Sequence, residues 1–409
     1  MKRDRRLSLY VHIPFCTAKC GYCDFNSYAG QESLIPAYTQ ALLREAEMWS
    51  AACLGWRVET LFFGGGTPSL MPLAEMEHLL QGLRQHFRLA PASPAARPGV
   101  EVTLEANPGT VDERYLSQLR AAGVNRLSLG VQSFRDDELA FLGRIHSAEE
   151  ARAAYRATRS AGLDNVSLDL IFGLPGQTVD RWLESLEEAI ALGPEHLSLY
   201  ALTVAEETPL ARDVADGRTP APDPDLQADL YLRTAERLEP AGYEQYEISN
   251  WARPGHRCRH NLTYWRNGFW LGLGAGAHSH LPSAEGGVVR FANVAEPARY
   301  VELVDETWAS RHATGAPTMD GMRQVTFQEE SDPSRELSDT LLLGLRLSEG
   351  VSVGDLRRRF GQAAVESHAA AFEEATSLGL LEHVDGRLRL TARGRLLANE
   401  VFVRLLPAS

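Results

Sequence analysis

The sequence predicts an α/β fold, because short apolar runs of strand type alternate with longer amphipathic patterns of helical type over about the first 250 residues. Strands and helices that alternate in this way form a parallel sheet with the helices packed outside it. The six strand-like runs are 7–13, 58–63, 100–105, 125–130, 166–171 and 196–202. The helical patterns between them include 35–49, 73–87, 149–161 and 179–192.

The composition is that of an ordinary globular protein, with 44% hydrophobic and 23% charged residues among 409. This length allows one large domain and a smaller one. The net charge of −13, from 41 basic and 54 acidic residues, argues against a basic surface for nucleic acid. The apolar run near the N-terminus is short and carries His12, so we expect neither a signal peptide nor a membrane span.

Three cysteines, Cys16, Cys20 and Cys23, follow the first strand-like run with the spacing CxxxCxxC. Thiolates are soft ligands for iron–sulfur clusters, and a cubane cluster takes four of them. Three ligands leave one iron open, and an open iron can hold a chelating ligand and pass it an electron. A zinc site is the alternative, but it requires CxxC pairs and a fourth ligand at set spacing. Five cysteines do not make a disulfide framework, and we expect a cytoplasmic protein with reduced thiols, with Cys53 as a buried structural thiol.

Polar motifs follow the ends of five consecutive strand-like runs, which is where barrel enzymes place their chemistry. After the cysteine loop come the glycine-rich segment 64–68, then Glu105, Gln132 and Asp169. Three glycines let the backbone approach a ligand and present N–H groups, although a tight turn would use the same residues. The segment is not a phosphate-binding P-loop, because no GK[ST] follows it.

The stretch 10–15, YVHIPF, followed by CxxxCxxC resembles the radical S-adenosylmethionine (SAM) superfamily. It is most similar to the branch that holds oxygen-independent coproporphyrinogen III dehydrogenases and haem chaperones, and the resemblance covers essentially the whole chain. It implies a partial (β/α)6 barrel of the TIM type that is open at one side. It also implies that Cys16, Cys20 and Cys23 hold a 4Fe–4S cluster whose open iron binds SAM.

The resemblance further implies which residues contact SAM. Gly65, Gly66 and Thr67 match the loop that holds the amino and carboxylate region of the ligand. SAM requires a carboxylate partner, hydroxyl partners for its ribose and stacking for its adenine. Arg144 suits the carboxylate, although an arginine on a surface helix would look the same in the sequence. The other matching positions are Tyr10, Tyr22, Glu105, Gln132 and Asp169.

A second string, HNxxYW at 260–265, resembles the haem-binding motif of the chaperone group. The resemblance implies His260 as an axial iron ligand beside Asn261, with Tyr264 and Trp265 against the porphyrin face. Without the resemblance, a core strand capped by aromatic residues, with a hydrogen-bonded histidine, is the simpler interpretation. The reserve iron ligands are Cys258, His278 and His280, the last two in the glycine-rich turn 272–280.

We predict three parts of the chain: the barrel at 1–250, the haem-motif and connecting segment at 251–325, and a C-terminal domain at 326–409. The C-terminal domain combines helices with a hairpin and resembles a winged helix. Such a unit alone would suggest DNA binding, but the acidic balance favours a lid or docking role over the barrel opening. The elements expected after the last barrel strand are a loop at 208–225, helices at 226–238, 336–347, 353–360, 363–378 and 392–405, and strands at 243–251, 380–384 and 387–390.

A dehydrogenase of this branch would carry a further cysteine two places after Cys23, where this chain has Phe25. That difference and the HNxxYW string favour a haem chaperone, which binds haem as cargo and delivers it to haem-accepting proteins, over a decarboxylating enzyme. No catalytic residue is therefore assigned. A cluster-bearing regulatory protein with a DNA-binding wing is the third hypothesis. The expected partners include a reductant protein and no nucleic acid, while a homodimer and a peripheral membrane contact through the acceptor stay open.

Overall fold

The computed structural model describes residues 5–91, 99–283, 287–314 and 321–406. Its main feature is one sheet of twelve strands. In chain order the strands are β1 Arg5–Ile13, β2 Trp56–Gly65, β3 Glu101–Ala106, β4 Arg126–Gln132, β5 Val166–Phe172, β6 His196–Ala201, β7 Glu244–Gln245, β8 Asn250–Ala252, β9 Trp270–Leu273, β10 His278–Pro282, β11 Val288–Asn293 and β12 Val325–Ser331.

The six predicted barrel strands, β1 to β6, pair in parallel and in chain order. On the other side of β1, the late strand β9 also pairs in parallel, and β10, β11 and β12 extend that edge in antiparallel order. At the opposite edge β8 and β7 add to β6 as antiparallel strands. Within the described residues β1 and β6 do not pair with each other, so the barrel is partial, as predicted.

Helices cover the sheet. The four helical patterns taken from the sequence are confirmed to within one residue at either end, and two further helices, α3 and α4, lie between the barrel strands. The helices that precede the C-terminal unit are α1 Ile35–Ser50, α2 Leu73–His86, α3 Glu113–Ala122, α4 Asp136–Phe141, α5 Ala148–Ser160, α6 Val179–Leu192, α7 Pro209–Ala215, α8 Pro224–Leu238, α9 Arg259–Trp265 and α10 Pro297–Thr314.

Three sequence-based interpretations of the segment between the last barrel strand and the C-terminal unit were wrong. The expected loop 208–225 contains α7, because Thr208 caps the helix and Pro209 occupies its first position, where proline is favoured. The string at 260–265 is the helix α9 rather than a core strand. The strand-like run 243–251 forms two short strands, β7 and β8, which pair antiparallel across a turn.

A single apolar core extends along the large sheet from one edge to the other, since Trp251 of β8 and Met322, just before β12, both belong to it. The predicted inward face of α1, which includes Tyr38 and Leu42, is buried against it. Cys53 packs in the same core, and burial raises the pKa of its thiol to about 12, which agrees with a structural thiol. No helix in the described ranges combines the length and the apolar character that a membrane span needs.

The C-terminal unit has its own apolar core, built around a three-stranded sheet. The predicted hairpin is confirmed, and both residues of its turn, Asp385 and Gly386, have the positive φ that such turns require. The predicted helix 363–378 divides in two, because Ser367 and His368 bond back to the Ala364 carbonyl with their side chains. The elements are α11 Pro333–Gly344, β13 Val351–Ser352, α12 Val353–Phe360, α13 Gln362–Glu366, α14 Ala369–Ser377, β14 Leu381–Val384, β15 Arg387–Leu390, α15 Ala392–Leu396 and α16 Ala398–Arg404.

Candidate functional site

A cavity of about 580 Å³ occupies the inside of the partial barrel, from the cysteine loop at the carboxyl ends of the strands to the helix α9. This volume lies within the usual range for sites that bind small molecules and cofactors. Every residue that the sequence assigned to the cluster, to SAM or to haem lines this cavity, except Trp265.

The three candidate cluster thiols each lie near a different polar side chain. Cys16 Sγ is 3.5 Å from the hydroxyl oxygen of Thr67, and Cys20 Sγ accepts a hydrogen bond of 3.4 Å from Arg144. Cys23 Sγ lies 4.0 Å from the hydroxyl oxygen of Ser27. In the described parts of the chain, no three His, Cys, Asp or Glu side chains converge on a point suited to one metal ion. A cluster gives each thiolate its own iron, so three thiols along one cavity wall fit that group.

The glycine segment at the end of β2 packs tightly against β1 and the cysteine loop. Gly65 has a φ of +116°, and a Cβ added there would lie 2.5 Å from Cε1 of His12. A Cβ on Gly66 would lie 3.0 Å from Cys16 Sγ. Glycine is therefore needed here for backbone conformation and for close packing, besides any approach to a ligand. The N–H of Gly65 donates to the Glu105 carboxylate over 3.1 Å.

Two carboxylates, Glu105 and Asp169, lie along the middle of the cavity. Burial and the neighbouring Asp169 raise the pKa of Glu105 to about 7. Asp169 accepts hydrogen bonds from Ser128 and Ser167 over 2.9 and 3.0 Å, while burial raises its pKa. Carboxylates inside a cavity favour a cationic ligand, and the sulfonium and ammonium groups of SAM fit this requirement.

The remaining candidate SAM contacts surround these carboxylates. The Tyr10 hydroxyl lies 3.0 Å from Nδ1 of His12. Gln132 has a φ of +68°, an uncommon conformation for a non-glycine residue, at an irregularity where β4 meets β5. Arg144 is not a surface helix residue: it lies beyond α4, lines the cavity, and donates to Cys20 and, over 3.0 Å, to the Gly130 carbonyl.

A buried carboxylate supports the cysteine loop from behind. Glu45 of α1 accepts hydrogen bonds from the Gly274 N–H over 2.9 Å, the Tyr300 hydroxyl over 2.6 Å and the Asn293 amide over 2.8 Å. The next residue of that turn, Ala275, accepts a 3.1 Å hydrogen bond from Asn26, which follows the third cysteine. The glycine-rich turn between β9 and β10 is thus a support for the loop.

The HNxxYW string lies on α9, whose first N–H groups are capped by Glu101 of β3. His260 is 2% exposed, with Nδ1 2.8 Å from the Thr60 hydroxyl and Nε2 2.9 Å from the Tyr264 hydroxyl. Its ring stacks on Phe62 at 4.9 Å, and burial lowers its pKa to about 3. A neutral histidine with both nitrogens in hydrogen bonds is not an open axial ligand in this conformation.

Trp265 points away from the cavity. It packs with Tyr246, Leu262 and Leu347, and the Arg346 guanidinium lies 5.4 Å from its ring centroid. Tyr264 and Trp265 therefore face different surroundings, as consecutive helical residues do.

The reserve ligands are likewise separated. Cys258 lines the cavity, whereas His278 and His280 do not. His278 is exposed at the start of β10, and His280 is fully buried with Nδ1 2.7 Å from the Gly268 carbonyl.

Two groups of cavity residues were not predicted from the sequence. Arg126, at the start of β4, faces inward at the end of the cavity near α9. Phe25, Ile145 and Tyr200 line the cavity as well, although these residues are 66%, 60% and 45% exposed, so they form an apolar rim at the mouth. The alternation of side chains along a strand could have predicted Arg126, because it lies on the same face of β4 as Ser128 and the predicted Gln132.

Comparisons with known proteins identify the family. The Radical SAM superfamily model matches residues 10–189, and the HemN C-terminal domain model matches residues 332–397. The protein named heme chaperone HemW of Mycobacterium tuberculosis is 39% identical over 401 residues, which span 97% of this chain and 94% of that protein. The chain belongs to the HemW family of the radical SAM superfamily. A second protein of the HemW family, from Bacillus subtilis, is 35% identical over 97% of this chain and 98% of its own length.

The solved structure of coproporphyrinogen III oxidase (HemN) from Escherichia coli, a radical SAM enzyme, has a similar fold. Its TM-score is 0.78 at 24% identity, over 98% of this chain and 90% of that chain. The resemblance stated from the sequence and the predicted fold class are confirmed. Membership of the radical SAM superfamily implies a 4Fe–4S cluster and SAM as cofactors.

Proposed function

We propose that this protein is a haem chaperone that carries a 4Fe–4S cluster and SAM, binds haem and delivers it to acceptor proteins. The observation that carries the proposal is the identity of 39% to a protein named heme chaperone HemW over nearly the full length of both chains. Phe25 supports it, because a dehydrogenase of this branch would carry a cysteine there. A reductant protein and a cytoplasmic location, where thiols stay reduced, belong to the proposal.

The cluster thiolates in this proposal are Cys16, Cys20 and Cys23. When bound, the cluster supplies an open iron that coordinates SAM and passes it an electron. The chain's own residues hold the ligand: Glu105 and Asp169 attract its cationic groups, and Arg144 suits its carboxylate. The further contacts would be Tyr10, Tyr22, Gly65, Gly66, Thr67 and Gln132.

Haem in this proposal enters at the mouth, where the apolar rim of Phe25, Ile145 and Tyr200 suits a flat apolar macrocycle. His260, with Asn261 and Tyr264, remains the proposed inner contact. His260 can act as the axial ligand only after its Nε2 leaves the Tyr264 hydroxyl, so haem binding includes a local rearrangement of α9. Trp265 would act indirectly, through packing against the C-terminal unit, which we propose as the docking domain.

Oxygen-independent coproporphyrinogen III dehydrogenase is the alternative function, and the similar fold of HemN is the observation behind it. One reconstituted, anaerobic sample can test both functions. Haem is titrated into one portion, and coproporphyrinogen III with SAM and reductant is added to another. We expect stoichiometric haem binding without decarboxylation, and formation of protoporphyrinogen IX would contradict the chaperone function.

A further inference from the structure

Arg126 is a buried cation without a protein partner in the described residues. The residue is 2% exposed and lines the cavity from the first position of β4. No described Asp or Glu oxygen lies within 4.0 Å of the guanidinium nitrogens, and Nε has no hydrogen-bond partner. An arginine stays protonated in proteins, and a buried charge without a partner is unfavourable.

The nearest acidic residues already have other partners. Glu101 accepts the N–H groups of Arg259 and His260 at the start of α9, over 3.2 and 3.1 Å. Asp169 accepts the hydroxyls of Ser128 and Ser167. These carboxylates balance the charge of Arg126 without contacting it. The N–H groups of its guanidinium therefore stay available to a ligand in the cavity.

Arg126 is also far from the arginine proposed for SAM. Arg144 contacts the cysteine loop at the mouth, near the carboxyl end of β4 at Gln132. The Arg144 guanidinium donates to the Gly130 carbonyl, and four residues of extended strand separate Gly130 from Arg126, or about 13 Å. The single carboxylate of SAM cannot meet both guanidinium groups, so Arg126 is available to a second ligand.

We propose that the Arg126 guanidinium binds a carboxylate of the cargo, a propionate of haem, in an inference that rests on the function proposed above. A guanidinium and a carboxylate form two parallel hydrogen bonds, which neutral groups do not match in strength. Haem carries its two propionates on one edge. It would therefore enter the cavity with that edge first and leave the opposite, apolar edge at the rim of Phe25, Ile145 and Tyr200.

The test compares haem with haem dimethyl ester, in which both carboxylates are blocked. Each is titrated into the reconstituted full chain as wild type, Arg126→Gln, Arg126→Lys and the control Arg114→Gln, which changes an exposed arginine on α3. We expect the wild type and the control to bind haem at least tenfold more tightly than the ester. Arg126→Gln should lose that difference, and Arg126→Lys should keep part of it, because lysine retains the charge without the fork.

SAM affinity, cluster absorbance and melting temperature are measured on the same samples. Equal affinities of the wild type for haem and its ester would overturn the proposal without the use of any variant. A loss of SAM affinity in Arg126→Gln, with haem affinity kept, would also overturn it and assign the arginine to SAM. A wild type that binds neither porphyrin would reject the chaperone function itself, and this inference with it.

Discussion

The Nε2 atom of His260 lies 2.9 Å from the hydroxyl oxygen of Tyr264, one helical turn further along α9. Because Nδ1 of the same ring lies 2.8 Å from the Thr60 hydroxyl, both ring nitrogens are engaged within the protein. The two conspicuous side chains of the HNxxYW string thus bind each other. Any ligand that needs the histidine nitrogen must compete with the tyrosine.

This competition predicts opposite effects for two substitutions. Tyr264→Phe removes the hydroxyl and frees Nε2, so haem affinity should rise by up to about fivefold, the worth of a hydrogen bond of roughly 1 kcal/mol. His260→Ala should lower haem affinity and change the Soret band. Haem titrations followed by absorbance provide the measurement. If Tyr264→Phe left both affinity and spectrum unchanged, His260 would not be the axial ligand, and Cys258 would be the next candidate.

Trp265 provides the matched control, because it belongs to the same string but lies outside the cavity. Trp265→Ala should leave the haem spectrum unaltered. It should destabilise the protein by roughly 1–3 kcal/mol, less than a fully buried aromatic residue would, because Trp265 is only partly buried. Chemical denaturation measures the loss of stability. A changed haem spectrum at full folding would show that the tryptophan reaches the cargo.

Replacement of Cys16, Cys20 or Cys23 by alanine should each abolish the brown colour and the paramagnetic signal of the reduced cluster, because each thiolate holds a different iron. Cys53→Ala is the control, since that thiol is buried in the apolar core away from the cavity. Iron and sulfide analysis with electron paramagnetic resonance measures the outcome. Full cluster content in all three variants would remove this loop from the cluster site.

Glu105 should make SAM binding depend on pH. Burial and Asp169 raise its pKa to about 7, and a cationic ligand favours the ionised form. Affinity should therefore fall as the pH is lowered, by roughly eightfold between pH 7.5 and pH 6, as the carboxylate takes up a proton. Glu105→Gln should bind SAM weakly with a flat profile. Calorimetry at a series of pH values measures both, and a wild-type affinity independent of pH would contradict the assignment.

Gly65→Val should disturb the same site through backbone conformation and packing. The positive φ disfavours any other residue, and a Cβ would meet the His12 ring. SAM affinity should fall about tenfold or more, that is, by at least about 1.4 kcal/mol. Because the clash involves His12 and not empty space, some loss of stability should accompany it. Unchanged SAM binding by calorimetry would remove this loop from the ligand site.

Glu45→Gln should weaken the support of the cysteine loop. The carboxylate only accepts hydrogen bonds, whereas the amide would direct N–H groups at some of the donors that now face it. We expect a loss of roughly 2 kcal/mol or more in the free energy of unfolding. Glu77→Gln, at an exposed position on α2, is the control and should change little. Equal stability of the two variants would contradict the role of the buried carboxylate.

The regular part of the fold was accessible from the sequence because its periodicity is strong. Each barrel strand is a compact apolar run, and the helices between them alternate on a clear helical period. The helix α9 was not accessible, since residues such as Thr263, Tyr264 and Trp265 have modest helical preference. Its start is stabilised by Glu101, which lies on β3, more than 150 residues earlier in the chain.

The candidate site likewise has one part that the sequence predicts and another part that it does not. Motifs at strand ends identified the mouth and the middle of the cavity, since parallel strands bring their carboxyl ends together. The partners of His260 were not predictable, because Thr60 is 200 positions away and only the folded barrel joins the two residues. Arg126 could have been predicted, because every second residue of a strand faces the same way and Arg126 shares the inner face of β4 with Ser128 and Gln132.

The pairing of β1 with β9 sets an order of events during synthesis. Leu9 lies opposite Leu271, so the strand that precedes the cysteine loop gains one of its two neighbours only after some 260 further residues have been made. At ribosomal speed this takes on the order of tens of seconds. We therefore expect iron and sulfide to be inserted only after β9 has been synthesised and has paired with β1. Nascent chains arrested before residue 252 should accordingly have protease-sensitive cysteine loops that take up no iron.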